Sequence, residues 1–283
     1  MLRDMGKKCY VLIQERLPEN LEFMDDDMFF IPEEGIAPAD VSIAVDCSEI
    51  SRFPGTSNVY KMSPLSIAID HHINNDPCGD LNYVDPDTAA TGELIFRLMR
   101  VMDHMPSKRE AEDIFAAIVT DTGNFLYSNT TKTTHRIVCE LYDSGIDVGS
   151  VSAELYENES PQKVRIIENA MNTMKVYGDG KVATAYVTQE MLEDAGAVMS
   201  DTDPVINNIR AMAGVEVAIV FKEYPENKTA VSLRAKKYAD VSKLATQFGG
   251  GGHVKAAGCT VYEPIGKAME MVIDAAVKML KEE

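Results

Sequence analysis

Residues 67–74 read IAIDHHIN: three apolar residues run straight into an acid and two adjacent histidines. The chain has only five histidines, and two of them stand side by side where a buried strand should be ending. Working outwards, residues 9–13 (CYVLI), 41–45 (VSIAV) and 66–69 (SIAI) are short, β-branched apolar runs. Such runs suit strands buried on both faces, as in a parallel sheet. Helical patterns lie between and after them. Residues 91–102 bring Leu94, Ile95, Leu98 and Met102 onto one face. Residues 107–119 open with Ser107 and Glu110 at capping-box spacing and then bury Ile114, Phe115, Ile118 and Val119. A third helix over 133–142 ends near Gly145. Strand alternating with helix in this way predicts an α/β domain through about residue 155.

The spacing then predicts a connecting helix over 160–175, closed by the turn Gly178-Asp179-Gly180. A second unit follows, with strands over 181–188, 215–224 and 229–236. The last two are joined by PENK, which suits a hairpin. Helices are expected over 204–213, 241–248 and 265–280. The economical organisation is an α/β domain over 1–158, a connecting helix and linker over 159–180, and a smaller α/β domain over 181–283.

Composition narrows the function. A net charge of −18 argues against gripping long nucleic acid, which is normally held by basic surface. A small anionic substrate remains compatible if metal ions and a few placed basic residues reverse the field locally. The N-terminal residues carry no apolar core of signal-peptide length. No run approaches the roughly 18 apolar residues of a membrane span, so a cytoplasmic protein with no membrane role is expected. Five cysteines without a C-x-x-C pair read as reduced thiols.

Two predicted strands stop on an aspartate, Asp46 and Asp70. In open parallel sheets ligands sit beyond the carboxyl ends of the strands. Asp121 follows a helix and precedes Thr122-Gly123, so Asp46, Asp70, His71, His72 and Asp121 are candidates to converge on one sheet edge. Carboxylates and imidazoles without thiolates are the donor set of Mn2+ or Mg2+ rather than of structural zinc. Successive side chains of an extended chain alternate. That divides the labour, with one imidazole on metal, its neighbour toward substrate or a carboxylate, and Asp70 orienting a ring nitrogen. The plainer alternative is a polar strand exit.

Residues 248–259 (FGGGGHVKAAGC) form the second constellation. Its glycines, Gly250, Gly251 and Gly252 among them, free the backbone to turn several N–H groups toward one anion, and His253 adds a donor. The competing reading is a flexible linker, which the strand expected over 257–262 weakens. Arg234 is a candidate phosphate ligand, or simply a solvated strand charge. His104 reads as surface and His135 as a packing or cleft residue. The acids within 24–30 read as a loop or helix start.

VDCS, IDHHINND, IVTDTGNFLYSNT and FGGGGHVKAAGC stand in the order and near the spacing of the DHH phosphoesterase family, the last belonging to its accessory DHHA1 domain. The resemblance spans essentially the whole chain and is nearest to the bacterial nanoRNase/pAp phosphatase branch. It implies a hydrolase with two metal ions, usually Mn2+, acting on short oligoribonucleotides or nucleotide bisphosphates, with a homodimer possible. Cyclic dinucleotides are the alternative substrate. By motif, Asp46 would bridge the metals and His71 and Asp121 would ligate one. His72, with Asp70 behind it, would face the scissile phosphate. Arg234, Gly250, Gly251, Gly252 and His253 would hold the far end of the nucleotide, and the cleft between the domains would limit its length.

The family's first motif, a His followed by Asp-x-Asp and Gly-Ser, has no counterpart ahead of His71. The resemblance therefore implies either a shortened gene model or a domain lacking its first strand and three metal ligands. In the second case an inactive nucleotide-binding remnant is expected, with apolar sheet surface left exposed.

Overall fold

The computed structural model describes residues 1–14, 16–26, 28–31, 39–72 and 77–282. The end of the IDHHINND stretch (73–76), Asp27 of the acidic run and Glu15 lie outside the described residues. The chain divides into two compact units, Met1–Asn158 and Glu159–Glu283.

In the first unit β1 (Val11–Leu12) and β2 (Phe29–Phe30) pair in parallel as a small sheet of their own. A second sheet, all parallel, runs in the order β3 (Val41–Val45), β4 (Leu65–Asp70), β5 (Leu81–Val84). Helices α1 (Ser57–Met62), α2 (Thr91–Val101), α3 (Lys108–Asp121), α4 (Lys132–Tyr142) and α5 (Val148–Tyr156) complete the unit. β4 is the central strand, and Ala68, Ile69 and Asp70 are buried. Its neighbours depart from the expectation of strands buried on both faces. β3 is an edge strand whose Val41, Ile43 and Val45 remain exposed. The CYVLI run contracts to two residues that do not join the β3–β5 sheet. Apolar β-branched runs report strand propensity, but whether both faces are covered depends on what packs there.

Ser107 caps α3, accepting from the Glu110 amide at 3.3 Å while the Glu110 carboxylate accepts from the Ser107 amide at 2.8 Å. Ile114, Phe115, Ile118 and Val119 enter the core beside Phe96 and Met99 of α2. In α2 the deepest positions are Leu94, Phe96 and Met99 rather than Ile95, Leu98 and Met102. The reason is that α2 is enclosed on more than one side, by α3, α4 and β4, so a single apolar stripe does not describe it.

The second unit contains α6 (Pro161–Asn172), β6 (Lys175–Tyr177), β7 (Val182–Val187), α7 (Gln189–Ala195), α8 (Pro204–Ala211), β8 (Val217–Tyr224), β9 (Lys228–Ala235), α9 (Val241–Gln247), β10 (Gly251–His253), β11 (Ala256–Val261) and α10 (Ile265–Glu282). Its strands form one mixed sheet in the order β10-β11-β9-β8-β7-β6. Period-2 alternation divides β8 between two cores. Val217, Ile219 and Phe221 pack with α9 and α10, whereas Ala218 and Val220 pack with α6, α7 and α8. The PENK hairpin closes through Glu226 and Asn227, both in the left-handed region that such turns require. Among the described residues no helix is long and apolar enough to cross a membrane.

Candidate metal centre

Asp46 sits one residue beyond β3 with φ of +58°. Its amide donates to the Ile69 carbonyl at 2.9 Å, which ties the turn to the end of β4. The Thr91 hydroxyl, in the first turn of α2, donates to Asp46 Oδ1 at 2.6 Å. A left-handed aspartate is a strained choice of backbone, and here it aims the carboxylate over the sheet's carboxyl edge.

His71 follows β4. Its Nδ1 donates to the Thr88 carbonyl at 3.1 Å, so the lone pair of the neutral ring lies on Nε2. That nitrogen is 3.6 Å from Asp46 Oδ1 and 3.6 Å from Asp121 Oδ2. Thr88 is held in turn. Its hydroxyl donates to Asp85 at 2.8 Å, and Arg97 donates to the same Asp85 oxygen at 3.1 Å. Arg97 also approaches the buried Glu93 at 3.5 Å, which accepts from the Thr134 hydroxyl at 2.6 Å. A connected polar chain thus runs from α4 to the imidazole.

His72 is oriented by Asp70. Asp70 Oδ1 accepts from the His72 amide at 3.0 Å and from its Nδ1 at 2.7 Å, and Oδ2 accepts from the Ser48 amide at 2.8 Å. Burial alone would push the Asp70 carboxyl up, but these donors outweigh it and hold it down at about 2. The acid is therefore ionised and the His72 Nδ1 carries the proton. Asp46, His71 and His72 offer donor atoms within 4.8 Å of one another, yet His72 Nδ1, 3.9 Å from Asp46 Oδ1, is committed to Asp70. The set left for a cation is Asp46, His71 and Asp121. Asp121 ends α3, and burial, then the neighbouring Asp46 carboxylate, push it up to about 6 against the pull of His71 and His72. At 3.6 Å from each carboxylate, the imidazole nitrogen can share a divalent ion with either one, at bonds near 2.1 Å. The oxygen and nitrogen donor set, with no thiolate, fits Mn2+ or Mg2+.

A groove of about 290 Å³ adjoins these residues, lined by Val45, Asp46, Thr91, Ile95, Asp113 and Asp121 among others. A second His/carboxylate grouping, Asp4, His104 and Glu110, is taken up by helix capping. Glu110 serves Ser107, and His104 Nε2 pairs with it at 3.0 Å. His104 is accordingly half-buried rather than a free surface group. His135 is exposed and stacks on Phe125, ring centroids 5.2 Å apart.

Arg234, Gly250, Gly251, Gly252 and His253 all lie in the second unit. The glycine run is neither an open loop nor a flexible linker, because Gly251–His253 pairs antiparallel with β11. A Cβ at Gly250 would lie 2.2 Å from the Gly258 carbonyl oxygen, and one at Gly252 2.6 Å from that of Ala256. Close backbone approach therefore accounts for two of the glycines. Register places His253, Ala256 and Arg234 in one row across three strands. Cross-strand partners share a face, so an imidazole and a guanidinium flank a small alanine.

Thr88, Thr91, Asp85, Glu93 and Arg97 are not singled out by the sequence. The available signal is residues 85–93 (DPDTAATGE), where three acids and two threonines crowd the start of an apolar helix.

Residues 1–121 match the family model for the DHH family N-terminal domain, and 179–283 match that for the DHHA1 domain. The chain is 31% identical over 276 residues to the bifunctional oligoribonuclease and PAP phosphatase NrnA of Thermus thermophilus, covering 97% of this chain and 81% of that one. It is 28% identical over 223 residues to the Bacillus subtilis protein of the same name, covering 75% and 65%. The crystal structure of an exopolyphosphatase-related protein from Bacteroides fragilis superposes with a TM-score of 0.90 at 27% identity, over 98% of this chain and 84% of that one.

Proposed function

The chain belongs to the DHH phosphoesterase family, a hydrolase family, and from that premise we propose that it hydrolyses short oligoribonucleotides and 3'-phosphoadenosine 5'-phosphate with divalent ions, Mn2+ first. The observation that supports this best is His71 Nε2 standing 3.6 Å from both Asp46 and Asp121, its other nitrogen held by Thr88. When bound, the ions would supply positive charge to a phosphoryl oxygen and activate the attacking water. Asp46, His71 and Asp121 would hold them. His72, fixed by Asp70, turns its Nε2 to the scissile phosphate. In the second unit the Arg234–His253 row and the outer edge of Gly250–Gly252 offer donors to a phosphate of the ligand. Water adds to phosphorus as the P–O bond to the leaving sugar breaks, and the leaving oxygen takes up a proton.

With a net charge of −18, the protein has little long-range attraction for a polyanion, in keeping with substrates of a few nucleotides. The test is Mn2+-dependent release of mononucleotides from di- to pentaribonucleotides and of phosphate from the bisphosphate. Both should be lost with EDTA and in His71→Ala. No hydrolysis by the wild-type protein across that panel rejects the reading.

A further inference from the structure

Immediately after Asp121 the chain adopts a conformation that costs energy. Gly123, Asn124 and Phe125 are consecutive left-handed residues, with φ of 55°, 55° and 64°, and an aromatic residue rarely accepts that region. The loop they form folds back on the end of α3. The Asn124 amide donates to the Val119 carbonyl at 2.7 Å, the Leu126 amide to Gly123 at 3.3 Å and the Tyr127 amide to Thr122 at 3.0 Å. The Asn129 side chain pins its far end, donating to the carbonyls of Asp121 and Ala89 at 3.1 Å each. Gly123 has no Cβ because the Tyr127 ring lies where one would be, 2.4 Å away.

Phe125 packs partly against the helical core of the first unit and carries the exposed His135 ring on its face. The next two side chains face water: Leu126 is 85% exposed and the Tyr127 ring is exposed as well. A loop pinned by these hydrogen bonds that presents adjacent apolar and π surface to water beside Asp121 has the character of a ligand-contacting segment. Tyr127 is hydrogen-bonded to the residue next to Asp121, so its Cα lies within about 10 Å of that carboxylate's backbone. The Asn129 anchor reaches Ala89, neighbour of the Thr88 that orients His71.

We infer that the loop of residues 123–127, through Leu126 and Tyr127, is the surface on which a nucleobase of the substrate rests beside the metal centre. This deepens the proposed function and rests on it. A chain of net charge −18 has little long-range attraction for the sugar-phosphate backbone, so beyond the ions and the Arg234–His253 row, affinity for a short ligand draws on stacking on its bases. Every base has a π-face, which makes such contacts strong and tolerant of sequence. The occupant is therefore a base, purine or pyrimidine, next to the scissile phosphate.

The test compares steady-state KM for a 5'-phosphorylated diribonucleotide with KM for its two counterparts carrying an abasic sugar at one position or the other. In the wild-type protein one abasic counterpart should have a KM about tenfold higher. That ratio should fall toward one in Leu126→Ser and Tyr127→Ala, persist in Tyr127→Phe and widen in Leu126→Trp. Leu126 is exposed enough that its replacement by serine leaves the fold intact. A ratio unchanged from wild type in both Leu126→Ser and Tyr127→Ala overturns the inference while leaving the phosphoesterase reading standing. So does a Leu126→Ser protein that sediments differently but keeps the ratio, since the surface is then a contact between copies. Failure of the wild-type protein to cleave the intact dinucleotide removes both.

Discussion

Replacing Asp70 with asparagine separates what holds His72 from what merely adjoins it. Asp70 is 1% exposed and ionised, and its two oxygens accept from Ser48 N, His72 N and His72 Nδ1 at 2.7–3.0 Å. An asparagine of the same shape offers one oxygen. If that oxygen faces His72, the Ser48 amide meets an NH2 group; if it faces Ser48, both His72 donors do. Leaving one buried N–H without an acceptor costs about 1–3 kcal/mol, and the drop of the surviving bonds from charge-assisted to neutral strength adds ~1 kcal/mol in all. The sum is about 2–4 kcal/mol. In a unit of this size each kcal/mol moves Tm by roughly 2–4 °C, so a fall of about 5–15 °C is expected by calorimetry. Turnover should fall further than stability explains. The His72 ring is no longer held as the Nδ1–H form, and loss of an orienting carboxylate is worth about 10–100-fold. The assay is kcat on a diribonucleotide at 15 °C, where the variant is still folded, with circular dichroism on the same sample. Wild-type kcat together with an unshifted Tm would refute the claim that Asp70 orients the ring.

Thr91→Val keeps the shape of α2 but removes the hydroxyl that Asp46 accepts at 2.6 Å. The Mn2+ concentration for half-maximal activity should rise about 10–100-fold, and an unchanged activation curve would show that Thr91 does not prepare Asp46. Asp113 lines the groove beside Asp46. Burial, then the neighbouring Asp26, Glu112 and Glu110 carboxylates, push it up to about 6 against Arg109, whose Nε is 3.3 Å away. A carboxyl with a raised folded-state pKa contributes stability that is full below about pH 4 and lost as pH rises through 6. Asp113→Asn should therefore raise Tm at pH 8 and lose that gain near pH 4. The side chain is 42% exposed, so solvent screening limits the effect to less than about 1 kcal/mol. An equal gain at both pH values would contradict this origin.

Local chemistry carries some features of this protein from residues to structure without help. Ser107 and Glu110 cap α3 because each satisfies an orphan amide of its own first turn. The run at 225–228 closes a hairpin in which Asn227 tolerates the left-handed region. The four motifs in series lead to the phosphoesterase family because chemistry ties each to a sequence neighbourhood. Asp46, His71, His72 and Asp121 could be named as candidates for a similar reason: polar residues placed where a strand or helix stops.

Only the tertiary structure decides which atoms face which. The Thr88 carbonyl that fixes the His71 tautomer lies 17 residues away, and the Thr91 hydroxyl on Asp46 lies 45 away. Such contacts leave no periodic trace in the chain. Packing likewise decides that β3 is an edge with one face exposed. It decides too that Gly250 and Gly252 lack a Cβ because another strand's backbone occupies the space. Sequence records what each residue prefers, whereas burial and hydrogen-bond partners depend on what arrives from elsewhere in the chain.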